Sequence, residues 1–357
     1  MKKIILIISL CMLTGCYDYQ EINDLAIISA IGIDYKDDKY IITLEVLSDQ
    51  VDKDAGKLKT ITKTGSDRSL AKALESAADL LSDNANYTHV KLMILGENII
   101  DGRFETIIDF FMRSTYFREN FYVISALDTE PEKILENTTT DAPVASSAII
   151  NLLESINYSS NNSVLKTFDQ IVEEILAFGK DTCFSNITLD DEQFKIDGLS
   201  IFDKYEFKDK LDNNYATIYN ILTGSFYRPI ISKDYDNKYF SIAITAGKTS
   251  FDIDTKQIKI TGDLTGKIMD NEPNFPIREL DTLETLNNDF KKLINEYLSD
   301  FIAVLQENKS DILFFGESYY QKTRIKEENF WVNLDIASNI SFYINKKGLI
   351  YEVQDEN

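Results

Sequence analysis

Histidine is the scarcest side chain that could do chemistry in this 357-residue chain, which contains one, His89. A zinc site or a Ser-His-Asp triad needs partners for the imidazole, and a single histidine argues against both. His89 follows Asn-Tyr-Thr at the start of a predicted strand. We therefore expect it to have a structural or interface role, such as a hydrogen bond at the strand edge, and no part in catalysis.

Acidic side chains are abundant, with 59 aspartates and glutamates, and several of them occur in pairs. Two carboxylates at the right separation could hydrolyse a glycosidic bond. Chance pairs are expected everywhere in so acidic a chain, and Asp252 and Asp254, which share one strand face, better fit a solvated edge. The pairs are Asp190-Asp191-Glu192, Asp234-Tyr235-Asp236, Asp252-Ile253-Asp254 and Glu327-Glu328.

Motifs for calcium loops, Walker phosphate loops, dinucleotide binding, nucleophile elbows and zinc proteases are missing from the chain. With a single histidine as well, the sequence predicts no catalytic residue, no metal site and no cofactor. A hydrolase that acts on wall polymers through an acidic pair is the enzymatic alternative.

The first sixteen residues differ from all that follow. Met1-Lys2-Lys3 is a positive end, Ile4 to Met12 is an apolar run of about nine residues, and Leu13-Thr14-Gly15-Cys16 follows with small residues. This order is typical of a secretory signal peptide, here residues 1–15. The last four residues resemble the bacterial lipobox, in which the cysteine receives a diacylglyceryl group. We expect cleavage before Cys16 and a lipid anchor on that residue, on the outer face of a membrane.

The chain is strongly acidic, with a formal net charge of −22 that becomes −24 when the two lysines of the signal peptide are removed. Such a surface repels phosphates and anionic headgroups, which excludes nucleic acid as a partner and a basic membrane-binding patch. Cys11 leaves with the signal peptide and Cys16 is lipidated, so no internal disulfide is possible. Cys183 has only Lys180 nearby to favour a thiolate, and we expect a buried or inert thiol.

Residues 25–127 predict the order ββαβαβ. Strands separated by helices of this length usually lie parallel with right-handed crossovers, so we expect a mixed sheet packed with helices. The predicted strands cover 25–33, 39–47, 90–95 and 121–127; the predicted helices begin near Gly65-Ser66-Asp67, with an apolar stripe over 70–81, and near Asp101.

After residue 128 the pattern changes to helices and polar connections, which predicts a smaller middle domain. Its predicted helices cover 145–156, 168–178 and about 211–222, and its predicted strand covers 196–202. Two aromatic clusters, 116–122 and 314–320, could form interfaces, because exposed aromatics are favoured there, but core packing is the preferred interpretation.

The last third predicts an antiparallel sheet under one long helix. Alternation over 239–245 and the turn Asp254-Thr255-Lys256 indicate half-buried strands and a hairpin. An apolar stripe over 283–305 predicts a helix of about 22 residues, roughly 33 Å long. A strand over 332–344, a turn at 345–348 and a final strand from Leu349 complete the prediction.

The residues after Cys16 carry a resemblance to a known family. Cys16-Tyr-Asp-Tyr-Gln-Glu-Ile, followed by Ala30-Ile31-Gly32-Ile33-Asp34, resembles the opening of the Ger(x)C family, the lipoprotein C subunits of spore germinant receptors. That opening usually reads Cys-Trp-Asp-x-x-Glu-Ile and then a run ending Ala-x-Gly-Ile-Asp. Tyr17 stands here in place of the tryptophan and keeps an aromatic side chain beside the lipid.

The resemblance extends over nearly the whole chain and is strongest over 16–130. In the stretch from Asp311 to Gly316 the chain keeps only part of the family pattern Asp-x-Phe-Gly-x-Gly. The other matching stretches are the helix Ser69 to Leu81, His89 with Gly96-Glu97 and Gly102, Asp109-Phe110 with Arg113 and Arg118, and Gly198-Leu199-Ser200-Ile201-Phe202.

The resemblance implies a mixed α/β lipoprotein of three domains on the outer surface of the spore inner membrane. It also implies two polytopic partners, the A and B subunits, with which the family converts nutrient binding into release of ions and dipicolinate, and no assigned catalytic activity. A lipid-anchored solute-binding protein is the alternative from another functional class.

The predicted fold class is therefore α+β or mixed α/β, with several domains. Mixed sheets are packed with helices, and the C-terminal sheet is antiparallel with one long helix. The predicted division is a signal peptide at 1–15, an N-terminal mixed domain at 16–128, a middle domain at 129–228 and a C-terminal α+β domain at 229–357.

Overall fold

The structure is a computed structural model that describes residues 25–48, 59–139, 142–159 and 161–346. The predictions for the signal peptide, for Cys16 and for the turn and strand beyond residue 346 lie outside these residues. Helices and two mixed sheets make up the described part, which confirms the predicted fold class.

The larger sheet has ten strands, and its main path runs in the order β10-β9-β8-β6-β5-β1-β2-β3, while β4 pairs with β1 and β7 with β6. The predicted hairpin β1–β2 is confirmed as an antiparallel pair, and β1, β5 and β6 are parallel neighbours. The strands are β1 (Leu25–Lys36), β2 (Lys39–Ser48), β3 (Lys59–Asp67), β4 (Asn84–Asn86), β5 (Leu92–Gly96), β6 (Tyr122–Ala126), β7 (Lys166–Thr167), β8 (Cys183–Asp190), β9 (Gln193–Asp203) and β10 (Glu206–Leu211).

Helices cover both faces of this sheet, because its parallel central strands are apolar on both sides. One face carries α1, α2, α3 and α6, and the other carries α4 and α5. The helices are α1 (Leu70–Ala78), α2 (Glu97–Ile100), α3 (Phe104–Arg113), α4 (Pro131–Glu136), α5 (Ala145–Ser159) and α6 (Phe168–Leu176).

The predicted helix start at Gly65-Ser66-Asp67 is wrong, since these residues end the additional strand β3 and α1 begins at Leu70 after Ser69. Gly65 is explained by close packing and not by a turn. A Cβ on Gly65 would lie 2.2 Å from the backbone nitrogen of Ala77, so its absence lets α1 lie directly on β3.

The predicted border between residues 128 and 129 falls inside the ten-stranded sheet. β6 pairs in parallel with β8 through Ser125 and Asn186, and the Ser125 hydroxyl hydrogen-bonds that of Ser200 on β9 at 2.7 Å. The change of pattern after residue 128 instead marks α4 and α5, which cross to the other face of the sheet. The described part of 129–228 therefore extends the first sheet and forms no sheet of its own.

The smaller sheet runs in the order β11-β12-β13-β14. Its strands are β11 (Ile230–Tyr235), β12 (Lys238–Ile253), β13 (Gln257–Asn271) and β14 (Asp335–Lys346), and the C-terminal helices are α7 (Asn213–Thr223), α8 (Leu280–Asn308) and α9 (Phe315–Thr323). β11, β12 and β13 are antiparallel, as predicted, whereas β14 pairs in parallel with β13. The reason is that α8 and α9 carry the chain back, so that Asp335 starts opposite Gln257.

The long helix α8 packs along the smaller sheet, as its apolar stripe predicted, but has 29 residues instead of about 22. Two of its amide side chains bind the backbone of β14. Asn295 both accepts from the N–H of Ile340 and donates to its carbonyl, each at 2.9 Å, and Asn287 accepts from the N–H of Ile344 at 2.9 Å. These bonds satisfy backbone groups of β14 as a further strand would.

Candidate functional site

His89 ends a 3₁₀ turn, Tyr87–His89, in front of β5, and its side chain is exposed. It lines a cavity of about 270 Å³ together with Lys91 and Arg118. Among the residues described, no three side chains of the types that ligate metals cluster closely enough to hold an ion.

The acidic pairs singled out in the sequence lie at turns and strand edges. Asp190-Asp191-Glu192 spans the tip of the β8–β9 hairpin, and Asp252 pairs with Lys322 at 3.2 Å on the surface. Asp254 accepts the N–H groups of Lys256 and Gln257 in the β12–β13 turn, at 2.7 and 2.9 Å. Asp252 and Asp254 are both exposed, in agreement with the interpretation as a solvated edge.

Cys183 is buried at the start of β8, as predicted. Burial raises the pKa of its thiol to about 11. A thiol that stays protonated at neutral pH is a poor nucleophile. Cys183 therefore acts as a core side chain.

An ion pair lies near Cys183 in the interior. The Nζ atom of Lys166 lies 2.8 and 2.6 Å from the two carboxylate oxygens of Glu174, and the two side chains are only 8% and 13% exposed. Removing one partner of such a pair would leave a buried charge, which is strongly destabilising. The pair borders a polar cavity of about 360 Å³ between α6 and α7.

Two glycines meet where the chain of the larger sheet touches the C-terminal part. Gly179 has a φ of +69°, and a Cβ placed on it would lie 2.3 Å from the carbonyl carbon of Gly316. The N–H of Glu317 donates to the carbonyl of Gly179 at 2.9 Å. We call this contact, between residues 177–181 and 310–317, the glycine junction.

Two buried aspartates join the segments of the glycine junction. The N–H of Asp311 donates to Oδ2 of Asp181 at 2.7 Å, and the N–H of Asp181 donates to the carbonyl of Asp311 at 3.1 Å. The Asp311 carboxylate also accepts the N–H groups of Phe315 and Gly316, at 2.8 and 2.7 Å, and so satisfies the start of α9. Burial raises the pKa of both carboxyls, that of Asp311 to about 7.

These raised pKa values predict how stability depends on pH. A carboxyl whose folded pKa exceeds its unfolded value of 3.8 binds its proton more tightly in the folded protein. The free energy of unfolding therefore falls as pH rises between these two values and levels off above about 7. From about pH 5 to pH 8 we expect Asp311 to account for a loss of about 2–3 kcal/mol.

Urea unfolding of the wild type and of Asp311→Asn across this range measures that loss. The variant should start less stable, because Phe315 and Gly316 donate to different oxygens of Asp311 and asparagine replaces one of these oxygens with an NH₂ donor. Its curve should fall less with pH. Asp109→Asn is the matched control, since this surface carboxyl has its pKa lowered by the hydrogen bond and charge of Arg113 and is already ionised at pH 5. Parallel curves for the wild type and Asp311→Asn would contradict the assignment.

An open apolar groove of about 870 Å³ lies between α1 and α3 on the larger sheet. Leu70, Leu74 and Phe110 line its apolar surface, and Tyr116 at one end is 68% exposed. Two ion pairs lie among its lining residues, Arg113 with Asp109 and Lys72 with Glu75. Large exposed apolar surfaces with a charged rim are typical of contact sites.

The aromatic clusters divide between core and surface. Phe117, Phe121, Phe315 and Tyr319 are buried, as the core interpretation expects, whereas Tyr116 is exposed at the groove. The cluster around residue 116 thus contributes to both.

Several residues that carry the family resemblance have structural reasons for their identity. A Cβ on Gly32 would lie 2.9 Å from the Pro131 side chain, and a Cβ on Gly96 would lie 2.6 Å from Oδ1 of Asp34. Asp109 and Arg113 form an ion pair one helical turn apart. The glycine junction explains Asp311 and Gly316, but no motif in the sequence marked Gly179 as their partner.

Two mixed sheets joined at the glycine junction, with a groove on one and a polar cavity between them, define an α+β class of protein. Family comparison identifies the class. Residues 18–189 match the spore germination protein N-terminal domain, and residues 197–352 match the spore germination B3/GerAC-like C-terminal domain. The chain belongs to the Ger(x)C family, the C subunits of spore germinant receptors.

Individual relatives agree with this assignment. The chain is 21% identical to spore germination protein KC of Bacillus subtilis (strain 168), over 97% of this chain and 95% of that protein. It is 24% identical to the putative spore germination protein YfkR of the same strain, over 90% and 88%. The crystal structure of the GerBC protein shares its fold, with a TM-score of 0.54 and 16% identity over 88% of this chain and 96% of that one.

Within the described ranges, no helix is both long enough and apolar enough to cross a bilayer.

Proposed function

We propose that this chain is a non-enzymatic, lipid-anchored subunit of a nutrient germinant receptor. It supports assembly or signalling of a complex with two integral-membrane subunits, of the A and B types, on the outer face of the cytoplasmic membrane that becomes the spore inner membrane. The lipid on Cys16 provides the attachment. The observation that carries this proposal is the groove between α1 and α3, which lies beside the start of β1.

The groove lies close to the point where the chain from Cys16 enters the fold. Leu25 and Ala26 at the start of β1 pair with Asn84 and Ala85, and Ala85 lines the groove. Only eight residues, 17–24, separate the lipidated cysteine from Leu25. Even fully extended, the chain from Cys16 to Leu25 spans about 30 Å, so the groove can face partners at the membrane surface.

The groove has the chemistry of a contact with a membrane protein. Its apolar walls and exposed Tyr116 suit an apolar segment, and the ion pairs along it suit the polar ends of such a segment. Its occupant in this proposal is a segment of a multispan subunit. A second copy of this chain, or residues 16–24 of the chain itself, are the alternative occupants that experiment can distinguish.

The buried carboxylates, lysine and thiol of the described part bind other groups of the fold or lie in its core. Asp181 and Asp311 accept backbone N–H groups, and Lys166 and Glu174 bind each other. The thiol of Cys183 is buried. These groups are committed to the fold, which favours a binding role.

Replacing Tyr116 by aspartate should weaken the complex, since it places a charge on the apolar contact. We expect detergent purification of the full-length chain from sporulating cells to recover multispan partners with the wild type and at least about tenfold less with Tyr116→Asp. Tyr239→Asp, at an exposed tyrosine on β12, is the matched control and should recover wild-type amounts. Equal recovery with both variants would contradict the groove as the contact surface.

A further inference from the structure

A basic cavity of about 270 Å³ lies at the end of the larger sheet where the parallel strands β1, β5 and β6 begin. Lys91 and Arg118 supply two cations to it, and His89 supplies an imidazole. Asn120 and Tyr122 add polar side chains that can donate hydrogen bonds. No aspartate or glutamate of the described residues lines this cavity, so its charge is of one sign.

The charges of the basic cavity are not neutralised by the described part of the chain. Lys91, Arg118 and His89 are all exposed, and within the described ranges none of them forms an ion pair with a carboxylate. Arg113 is by contrast paired with Asp109 at 2.8 Å. In a chain of formal net charge −22, two unpaired cations at one cavity create a local positive potential that favours an anionic partner.

The backbone fixes this cavity close to the start of β1. The N–H of Lys91 donates to the carbonyl of Ser29 on β1 at 2.9 Å, and the N–H of Tyr122 donates to the carbonyl of Lys91 at 2.8 Å. Leu25 at the start of β1 lies four positions before Ser29, which is about 13 Å along a strand. The basic cavity therefore lies near the point where the chain enters the larger sheet.

His89 and Arg118 both carry part of the family resemblance. Packing explains several glycines of the matching stretches, and an ion pair explains Asp109 and Arg113. Neither reason applies to His89 or Arg118, whose side chains are exposed. They lie far apart in sequence, and the fold brings them to one cavity. A common ligand gives both residues a role.

A phosphodiester group matches this set of side chains. A guanidinium can bind two phosphate oxygens at once, and an ammonium adds a point charge. Neutral N–H and O–H groups can donate to the remaining oxygens. The cavity is smaller than ordinary sites for drug-sized molecules, so it suits a headgroup whose acyl chains stay in the bilayer.

We propose that the basic cavity binds the phosphodiester headgroup of an anionic phospholipid in the membrane that carries the chain. This inference rests on the proposed lipid anchor, which keeps the cavity within reach of the bilayer. Two basic side chains attract an anionic surface only weakly, so the site orients the protein and does not anchor it. The acidic remainder of the surface is repelled by the same headgroups. Tyr87 lines the groove and Thr88 the cavity, so this orientation also brings the groove to the membrane surface.

Thermal unfolding of the full chain in an uncharged detergent tests the site apart from the anchor, because phosphatidylglycerol in the micelles reaches the protein whether or not Cys16 carries lipid. At about 10 mM and with a Kd near 1 mM, phosphatidylglycerol should raise Tm by roughly 3 °C relative to phosphatidylcholine. Glycerol 3-phosphate at the same concentration should give a much smaller rise, because it is not held at the micelle surface. Equal Tm values in the two lipids would overturn the proposal. A rise with glycerol 3-phosphate as large as that with phosphatidylglycerol would assign the cavity to free phosphate esters and contradict a lipid ligand.

A double variant, Lys91→Gln with Arg118→Gln, locates the effect in the cavity. Both side chains are exposed, so this variant should keep the wild-type Tm in phosphatidylcholine and lose at least half of the rise with phosphatidylglycerol. Lys248→Gln with Lys259→Gln, at two exposed lysines of the smaller sheet, is the matched control with the same change of charge and should keep the full rise. An equal rise in the two double variants would place the binding elsewhere and refute this site.

Discussion

Replacing Gly179 by alanine is expected to destabilise the protein by about 3 kcal/mol or more. The alanine would have to keep a φ of +69°. Its Cβ would lie 2.3 Å from two backbone atoms of the glycine junction, the nitrogen of Glu317 and the carbonyl carbon of Gly316. Backbone cannot move aside as a flexible side chain can. Urea unfolding of the wild type and the variant measures the loss.

Gly224→Ala is the matched control for this prediction. Its φ of +75° imposes the same backbone strain, but a Cβ there meets nothing within 4 Å, so we expect a loss of only about 1 kcal/mol. Gly316→Ala tests the other side of the contact. Alanine in a helix ordinarily stabilises, but here its Cβ would lie 2.7 Å from the Cα of Gly179, and we expect destabilisation. Equal losses for Gly179→Ala and Gly224→Ala would show that the junction is not closely packed.

Replacing Cys16 by alanine is expected to release the chain from the membrane and to abolish receptor function unless the partner subunits retain it. The lipid is the only strong attachment that so acidic a chain is expected to provide for itself, and two acyl chains hold a protein stably where one does not. Membrane fractionation and a germination assay measure the two effects. The variant should leave the domains folded and unfold at the wild-type temperature, because the role expected of Cys16 is to carry the lipid.

Cys11→Ala controls for the loss of a cysteine, since residue 11 lies in the apolar run that is expected to be removed. This variant should remain in the membrane fraction. Full release of Cys16→Ala from the membrane together with wild-type germination would contradict the need for the anchor. Retention of Cys16→Ala with normal germination would indicate that the partner subunits hold the chain.

Periodicity predicted most of the elements around the candidate sites. The stripes over 283–305 and 168–178 correspond to α8 and α6, and the hairpins β1–β2 and β12–β13 lie where turn residues placed them. These features are local, because a helix or hairpin is determined by residues a few positions apart. The expectation of a buried or inert thiol at Cys183 also had a local basis, since Lys180 is the one nearby residue in the sequence that could favour a thiolate.

Features that depend on distant residues were not predictable in this way. The sheet continues past residue 128 through one parallel contact between Ser125 and Asn186, which leaves no periodic signal. The parallel direction of β14 depends on how α8 and α9 return the chain across the sheet. Gly179 and Gly316 lie far apart in sequence, and only their packing shows why neither can carry a side chain.

The glycine junction and the polar cavity share a residue and therefore can influence each other. Lys180 lines the cavity, and its Nζ atom lies 3.0 Å from Glu317 in α9, next to Gly316. Loss of the Lys180 side chain would therefore remove an ion pair at the junction as well as a charge of the cavity.

Site-specific crosslinking from the groove tests the proposed receptor role most directly. A photoreactive amino acid at position 116 of the full-length chain, in sporulating cells, should form a crosslink to a multispan membrane protein, whereas the same group at position 239 should not. Mass spectrometry identifies the partner. Crosslinks from position 116 only to copies of this chain or to residues 16–24, with no multispan protein recovered, would contradict a receptor subunit that contacts its membrane partners through the groove.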